Sequence, residues 1–354
     1  MKAARYYGAK DIRIEEVPIP SVKKNQIKIQ VKYAGICGSD LHEYSRGPIT
    51  IPLKKPYPLN GHEGATIMGH ELSGVVVEIG DNVDCNNIKI GDRVVVEPFF
   101  RNPSSFYTQN GQYNLSDPVG GIGITGNGAF AKYCVVEDYM VHKIPDNVTF
   151  KQGALVEPAA VAVYAVQSSG LKLDETCVIF GAGPLGLLCL QAAMIVGVSR
   201  TAIVDIAEKR LEKARELGAT LVINGNDDNV PQQVKHLTDG LGAHVYFDAT
   251  GVEATFTTGI ASLRKGGRAM LLAACAQMVP LNTMDIVVRE IRIQGILGYP
   301  NMFPQTIQLI DQNKMKVERI ITKTIQLDEI VSEGFEVLLD HPPEAKILVD
   351  MDLS

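Results

Sequence analysis

From Thr176 to Ser199 the chain carries no charged side chain, yet the run is broken near its start by Gly181-Ala-Gly183-Pro-Leu-Gly186. An unbroken helix of that length would cross a bilayer. The glycines and proline instead divide it into a short β-rich run, Thr176-Cys-Val-Ile-Phe180, and a helix-like run from Leu187 to Val196. A buried strand, a glycine turn and a helix in that order open a dinucleotide-binding parallel sheet. Gly181 permits the tight turn, Gly183 lets a pyrophosphate approach the backbone, and Gly186 allows close helix–strand packing. The loop Gly181, Gly183, Leu185 and Gly186 then meets the phosphates at the helix N-terminus. Asp205 ends the next apolar run, Thr201-Ala-Ile-Val-Asp205. A carboxylate there accepts hydrogen bonds from an adenosine ribose and repels a 2′-phosphate, so NAD is expected rather than NADP. Arg210 is a further candidate along the adenosine, set against the plainer reading of a surface-helix arginine.

Around that motif, apolar strands alternate with helix-length segments: Thr176 to Phe180, Thr201 to Val204, Leu221 to Ile223, His244 to Asp248 and Arg268 to Leu272. Such alternation signals βαβ units and a parallel sheet. The first 155 residues read differently, as alternating strands such as Ile12-Arg-Ile-Glu-Glu-Val17 and Gln26-Ile-Lys-Ile-Gln-Val-Lys32, punctuated by Gly and Pro. After Arg289 strand-like pieces return, Ile291-Arg-Ile-Gln-Gly-Ile296 and Ala345-Lys-Ile-Leu-Val349, with a helix-like stretch near Phe303. At 354 residues two domains are the default. The expected division is 1–155, then 156–290 for the dinucleotide domain, with 291–354 rejoining the first.

Composition narrows the function. A formal charge of -6 with no dense Lys/Arg block argues against nucleic acid as a partner. Six cysteines (Cys37, Cys85, Cys134, Cys177, Cys189, Cys275) lack the spacing of a disulfide framework. The start, Met1-Lys-Ala-Ala-Arg-Tyr-Tyr, lacks the apolar region of a signal peptide, so a reducing cytoplasm and no membrane are expected.

The chemistry is signalled by two stretches about thirty residues apart, Cys37-Gly-Ser-Asp-Leu-His42 and Gly69-His70-Glu71-Leu-Ser-Gly74. Taken singly, a Cys is most often a small buried hydrophobe, and Gly-His-Glu can be a turn. Together they offer a thiolate, an imidazole and a carboxylate. Three protein ligands with one open position make a catalytic zinc, whereas four Cys or His ligands close a structural one.

With both motifs placed, the chain resembles the zinc-dependent medium-chain alcohol and polyol dehydrogenases over essentially its whole length. Cys37-Gly-Ser-Asp-Leu-His-Glu-Tyr44, Gly47-Pro-Ile-Thr-Ile-Pro52 and Ala154-Leu-Val-Glu-Pro-Ala-Ala-Val-Ala162 look most like the members acting on vicinal diols and α-hydroxyketones. Polyol dehydrogenases are the nearest rival. The resemblance implies an α/β architecture: a GroES-like, β-rich catalytic domain plus a doubly wound Rossmann domain, with the active site in the cleft between them. It implies Cys37, His70 and Glu157 as zinc ligands, with Glu71 ligating directly or through water. Ser39 and His42 would pass the alcohol proton outward, and Asp40 would orient a ligand. It also implies a homo-oligomer, dimer or tetramer.

One departure stands out. Relatives with a second, structural zinc hold it with four cysteines, and the matching positions here are Asn102, Ser105, Thr108 and Ser116. Hydroxyl and amide groups do not supply the thiolates of a tetrahedral structural zinc. One catalytic zinc per chain, no structural zinc, and a lobe near residues 99–128 held by packing are therefore expected. A non-catalytic NAD sensor and a zinc-free reductase are the competing readings.

Overall fold

The strand Gln26–Gly35 sends Ile27, Ile29 and Val31 into the core, as a period-two pattern requires. In the structure, a computed structural model that describes residues 1–84, 87–226, 229–275, 277–340 and 344–352, this strand has neighbours on both edges. The sheet built on it runs Ile321–Gln326, Lys346–Asp350, Gln26–Gly35, Glu71–Ile79, Arg93–Val96 and Val141–Lys143, with Tyr133–Glu137 also paired to Gln26–Gly35. A smaller antiparallel sheet places Lys2–Gly8 between Asp11–Glu16 and Thr66–Ile67. Both contribute to one core that includes Ala3, Tyr6, Ile29, Phe130, Phe335 and Ile347. These elements belong to a unit of Met1–Glu157, Phe303–Gln312 and Val317–Ser354.

The second unit takes Pro158–Met302 and Asn313–Lys316. Among the described residues its six strands are all parallel, in the order Leu221–Asn224, Arg200–Asp205, Thr176–Phe180, Ala243–Asp248, Leu263–Leu271, Arg292–Gly295. Numbered along the chain that order is 3-2-1-4-5-6, the doubly wound arrangement. Its core includes Val178, Phe180, Val204, Tyr246 and Leu263. The uncharged run resolves into the strand Thr176–Phe180 and the helix Pro184–Val196, whose Leu187, Leu188, Leu190 and Ala193 are buried. Among the described residues no helix is long and apolar enough to cross a membrane.

The strand Arg292–Gly295 corrects the expectation that the chain rejoins the first domain at residue 291. It pairs with Leu263–Leu271 as the last strand of the parallel sheet, and Ile291 and Ile293 pack on that unit's core. Alternation shows that a strand is half-buried; it does not say which sheet receives it.

Candidate metal centre and dinucleotide loop

Three neighbouring strands deliver one cluster of side chains. Gly35 pairs with Glu71 on one side and with Leu348 on the other. The chain leaves the first strand at Gly35 and reaches Cys37 at the start of the helix Gly38–Arg46; the second strand begins at Glu71, directly after His70; the third begins at Lys346. A ligand atom from each of Cys37, His70 and Glu71 lies within 4.8 Å of the other two. His70 and Glu71 are buried and Cys37 is half-buried.

Two glycines make this possible. Gly69 has φ +89, and a Cβ there would stand 2.8 Å from the Phe130 ring, so only glycine can precede His70 in this turn. At Gly35 the obstacle is the site itself, because a Cβ would collide with the Glu71 carboxylate and stand 3.1 Å from Lys346 Cε.

The structure fits a zinc ion at this triplet. Thiolate, imidazole and carboxylate are zinc's ordinary donors, and ligand atoms on one tetrahedral zinc stand roughly 3.5 Å apart, so only a small inward movement is needed. Glu71 Oε1 is buried without a hydrogen-bond partner, an orphaned acceptor suited to a cation. Glu157, in the first turn of the helix Val156–Ser168, is buried but is not a member of the triplet; its charge acts on Lys346.

Asp40 accepts the Cys37 N–H at 2.9 Å, and its other oxygen stands 3.5 Å from His70 Nδ1. Burial alone would depress the His70 imidazole, but Asp40 and then Cys37 outweigh it and push the ring well above its ordinary value. Ser39 Oγ is 3.4 Å from His70 Nε2. His42 is exposed on the same helix, and desolvation together with Arg46 holds it below its ordinary value. Among the described residues no hydrogen bond joins Ser39 to His42, so a relay between them needs a bridging group.

Sequence reasoning missed Lys346. It is buried, pairs with Glu71, and donates to the Ile36 carbonyl at 2.9 Å. Burial would lower its pKa, yet Glu71 first and Cys37 next hold it raised. The only signal was a lysine opening an apolar strand, which is common on surfaces.

In the lobe, Asn102 N donates to Ser116 Oγ at 3.2 Å, Asn102 Nδ2 to the Asp117 carbonyl at 2.7 Å, and Asp117 N to Ser105 Oγ at 3.3 Å. Three of the four non-cysteine positions thus tie to the lobe's own chain, while Thr108 Oγ1 has no hydrogen-bond partner. Beside them the buried Glu97 takes Arg101 Nη2 at 3.4 Å, His142 Nε2 at 3.1 Å and the Tyr113 hydroxyl, and Arg101 lies over the Tyr113 and Tyr139 rings. Of the other cysteines, Cys134, Cys177, Cys189 and Cys275 are free thiols, and Cys85 lies outside the described residues.

In the second unit the glycine loop ends the strand Thr176–Phe180 and Gly183 caps the helix Pro184–Val196 with no side-chain bond to its first N–H groups. Gly181 has φ +97, and a Cβ on Gly186 would collide with the Gly181 carbonyl. At Gly183, by contrast, a Cβ would meet only Arg210 Nη1, at 4.0 Å. That opening beside uncapped N–H groups, with Leu185 half-buried in the first turn, suits a pyrophosphate. Asp205 accepts from Ala182 N at 2.7 Å and Ala207 N at 2.9 Å, which fixes it at the strand end.

Residues 23–146 match the alcohol dehydrogenase GroES-like domain family, and residues 184–312 match the zinc-binding dehydrogenase family. The chain is 41% identical over 350 residues to an (R,R)-butanediol dehydrogenase of Bacillus subtilis, covering 99% of each. It is 32% identical to a sorbitol dehydrogenase of the same organism, covering 93% of this chain and 91% of that protein. The crystal structure of 2R,3R-butanediol dehydrogenase from Bacillus subtilis superposes with a TM-score of 0.92 at 40% identity, covering 99% of both chains.

Proposed function

Since the chain belongs to the zinc-binding, medium-chain alcohol dehydrogenase family, we propose that it interconverts (R,R)-2,3-butanediol, or the meso diol, and acetoin, with NAD as hydride carrier. Diacetyl is a further ketone it would reduce. The observation that carries the reading is the convergence of Cys37, His70 and Glu71 on one point in the fold.

In this reading Cys37 and His70 hold one zinc per chain, with Glu71 and Glu157 as the carboxylates available to it. Bound there, zinc would supply Lewis-acid stabilisation of negative charge developing on the substrate oxygen, and NAD would supply the hydride acceptor. Asp40 fixes the Cys37 backbone and faces the His70 ring. Ser39 accepts the alcohol proton at its hydroxyl as it gives up its own, and a bridging group carries that proton to His42, which is exposed to solvent. Gly183 and the uncapped N–H groups bind the pyrophosphate. Asp205 faces the ribose hydroxyls, which favours NAD over NADP, and Arg210 lies beside the loop. The hydrogen-bonded knot at Asn102, Ser105 and Ser116 supports a single zinc. The free thiols Cys37, Cys134, Cys177, Cys189 and Cys275 suit a reducing compartment such as the cytoplasm. Assembly as a dimer or tetramer is supported by the outermost strand Arg292–Gly295 and by the exposed Met278, Met284, Val287, Val288 and Leu297 nearby in the chain.

Kinetics test this directly. With NAD, the chiral butanediols should give far higher kcat/KM than 2-butanol, because two adjacent oxygens bind better than one; acetoin should be reduced with NADH, NADP should serve poorly in place of NAD, and a zinc chelator should abolish turnover. Preference for sorbitol would move the reading to a polyol dehydrogenase. Zinc and NADH bound without any turnover would make it a sensor, and activity indifferent to chelator would make it a zinc-free reductase.

A further inference from the structure

Burying an ammonium group is costly, and an aliphatic side chain would fill the same space without that cost. Lys346 is nevertheless 2% exposed, at the start of a strand whose next residues, Ile347, Leu348 and Val349, are core. Among the described residues its amine meets the Glu71 carboxylate and donates to the Ile36 carbonyl, and Cys37 and Glu157 also act on its charge. Glu71 is fully buried, and Lys346 is the cation it pairs with. Room for the pair exists because Gly35, between the two strands that carry them, has no side chain.

We propose that Lys346 is the built-in countercharge of the metal triplet, compensating Glu71 and holding it beside Cys37 and His70 until a divalent cation takes over that charge. This rests on the metal reading above. Removing one partner of a buried ion pair is destabilising because the other charge is left uncompensated. Bound metal would supply that compensation, so Lys346 and the metal are alternative partners for Glu71 and oppose one another's effect. Lys346 is thus a positioning residue, and its signature is a stability loss that depends on metal.

The test uses the full-length protein as wild type, Lys346→Met, Lys346→Arg, and Lys346→Met combined with Glu71→Gln. Thermal unfolding is followed with one equivalent of zinc and after stripping with chelator. Lys346→Met should lower the Tm of stripped protein by roughly 10 °C, and zinc should restore most of the loss. Lys346→Arg, which keeps the charge, should behave as wild type. The double variant, with no carboxylate left uncompensated, should recover stability in the stripped state, and this decides the matter even where Lys346→Met alone does not fold without metal. In chelator titrations Lys346→Met should keep its zinc at concentrations about tenfold higher than wild type, because a nearby positive charge has gone. Equal Tm losses with and without zinc, or a double variant no better than the single, would overturn the inference while leaving the metal reading intact. A wild-type chain that takes up no zinc would overturn both.

Discussion

Asp40 illustrates how much one side chain at this site is asked to do. It is buried at the start of the helix Gly38–Arg46, accepts the N–H of Cys37 and faces His70 Nδ1. A carboxylate that orients ligands is worth about 10- to 100-fold in metal affinity or activity. Asp40→Asn should therefore weaken zinc retention by that factor in competition with a chelator while leaving the fold intact; undiminished retention would contradict the assignment. At this scale the sequence was informative where spacing carries the signal. The meeting of Cys37 with His70 and Glu71 could be read from two glycine-rich motifs, since Gly69 must be glycine for the chain to turn into His70. Lys346 could not, because its partner lies on a neighbouring strand, and register between distant strands leaves no local trace.

Elements were legible in proportion to how local their causes are. The strand Thr176–Phe180 and the helix after it announce themselves through a glycine loop flanked by apolar runs. The loop's glycines also separate into two kinds that the sequence alone does not rank. Gly186→Ala would drive a methyl into the Gly181 carbonyl and should cost both folding stability and NAD binding. Gly183→Ala meets only Arg210 Nη1, at an ordinary contact distance of 4.0 Å, so the fold should hold, with a Tm within a few degrees of wild type, while KM for NAD rises about tenfold or more as the methyl occupies the phosphate's approach. Equal effects of the two substitutions would refute this division. The strand Arg292–Gly295 shows the opposite case: its alternating pattern identified it as a strand, but its destination depends on Ile291 and Ile293 finding a core far earlier in the chain.

At the scale of the whole molecule, the fold class followed from the change of pattern near Val156, from alternating strands to βαβ units. The lobe was half legible, since the absence of cysteine at Asn102, Ser105, Thr108 and Ser116 could be read but the buried cluster at Glu97 could not. Glu97→Ala should lower stability by about 2–3 kcal/mol, read as a shift in denaturant midpoint of the same size with and without chelator. A loss that appears only on chelation would point to a metal in the lobe. The discontinuity of the first unit has a consequence for synthesis. Its strands at Gln26–Gly35 and Glu71–Ile79 are synthesised long before Lys346–Asp350, which follows the whole parallel-sheet unit in the chain. Until that last strand is made, Glu71 has no lysine to compensate it, so the pairing of Lys346 with Glu71 can form only once the distant halves of the first unit have come together.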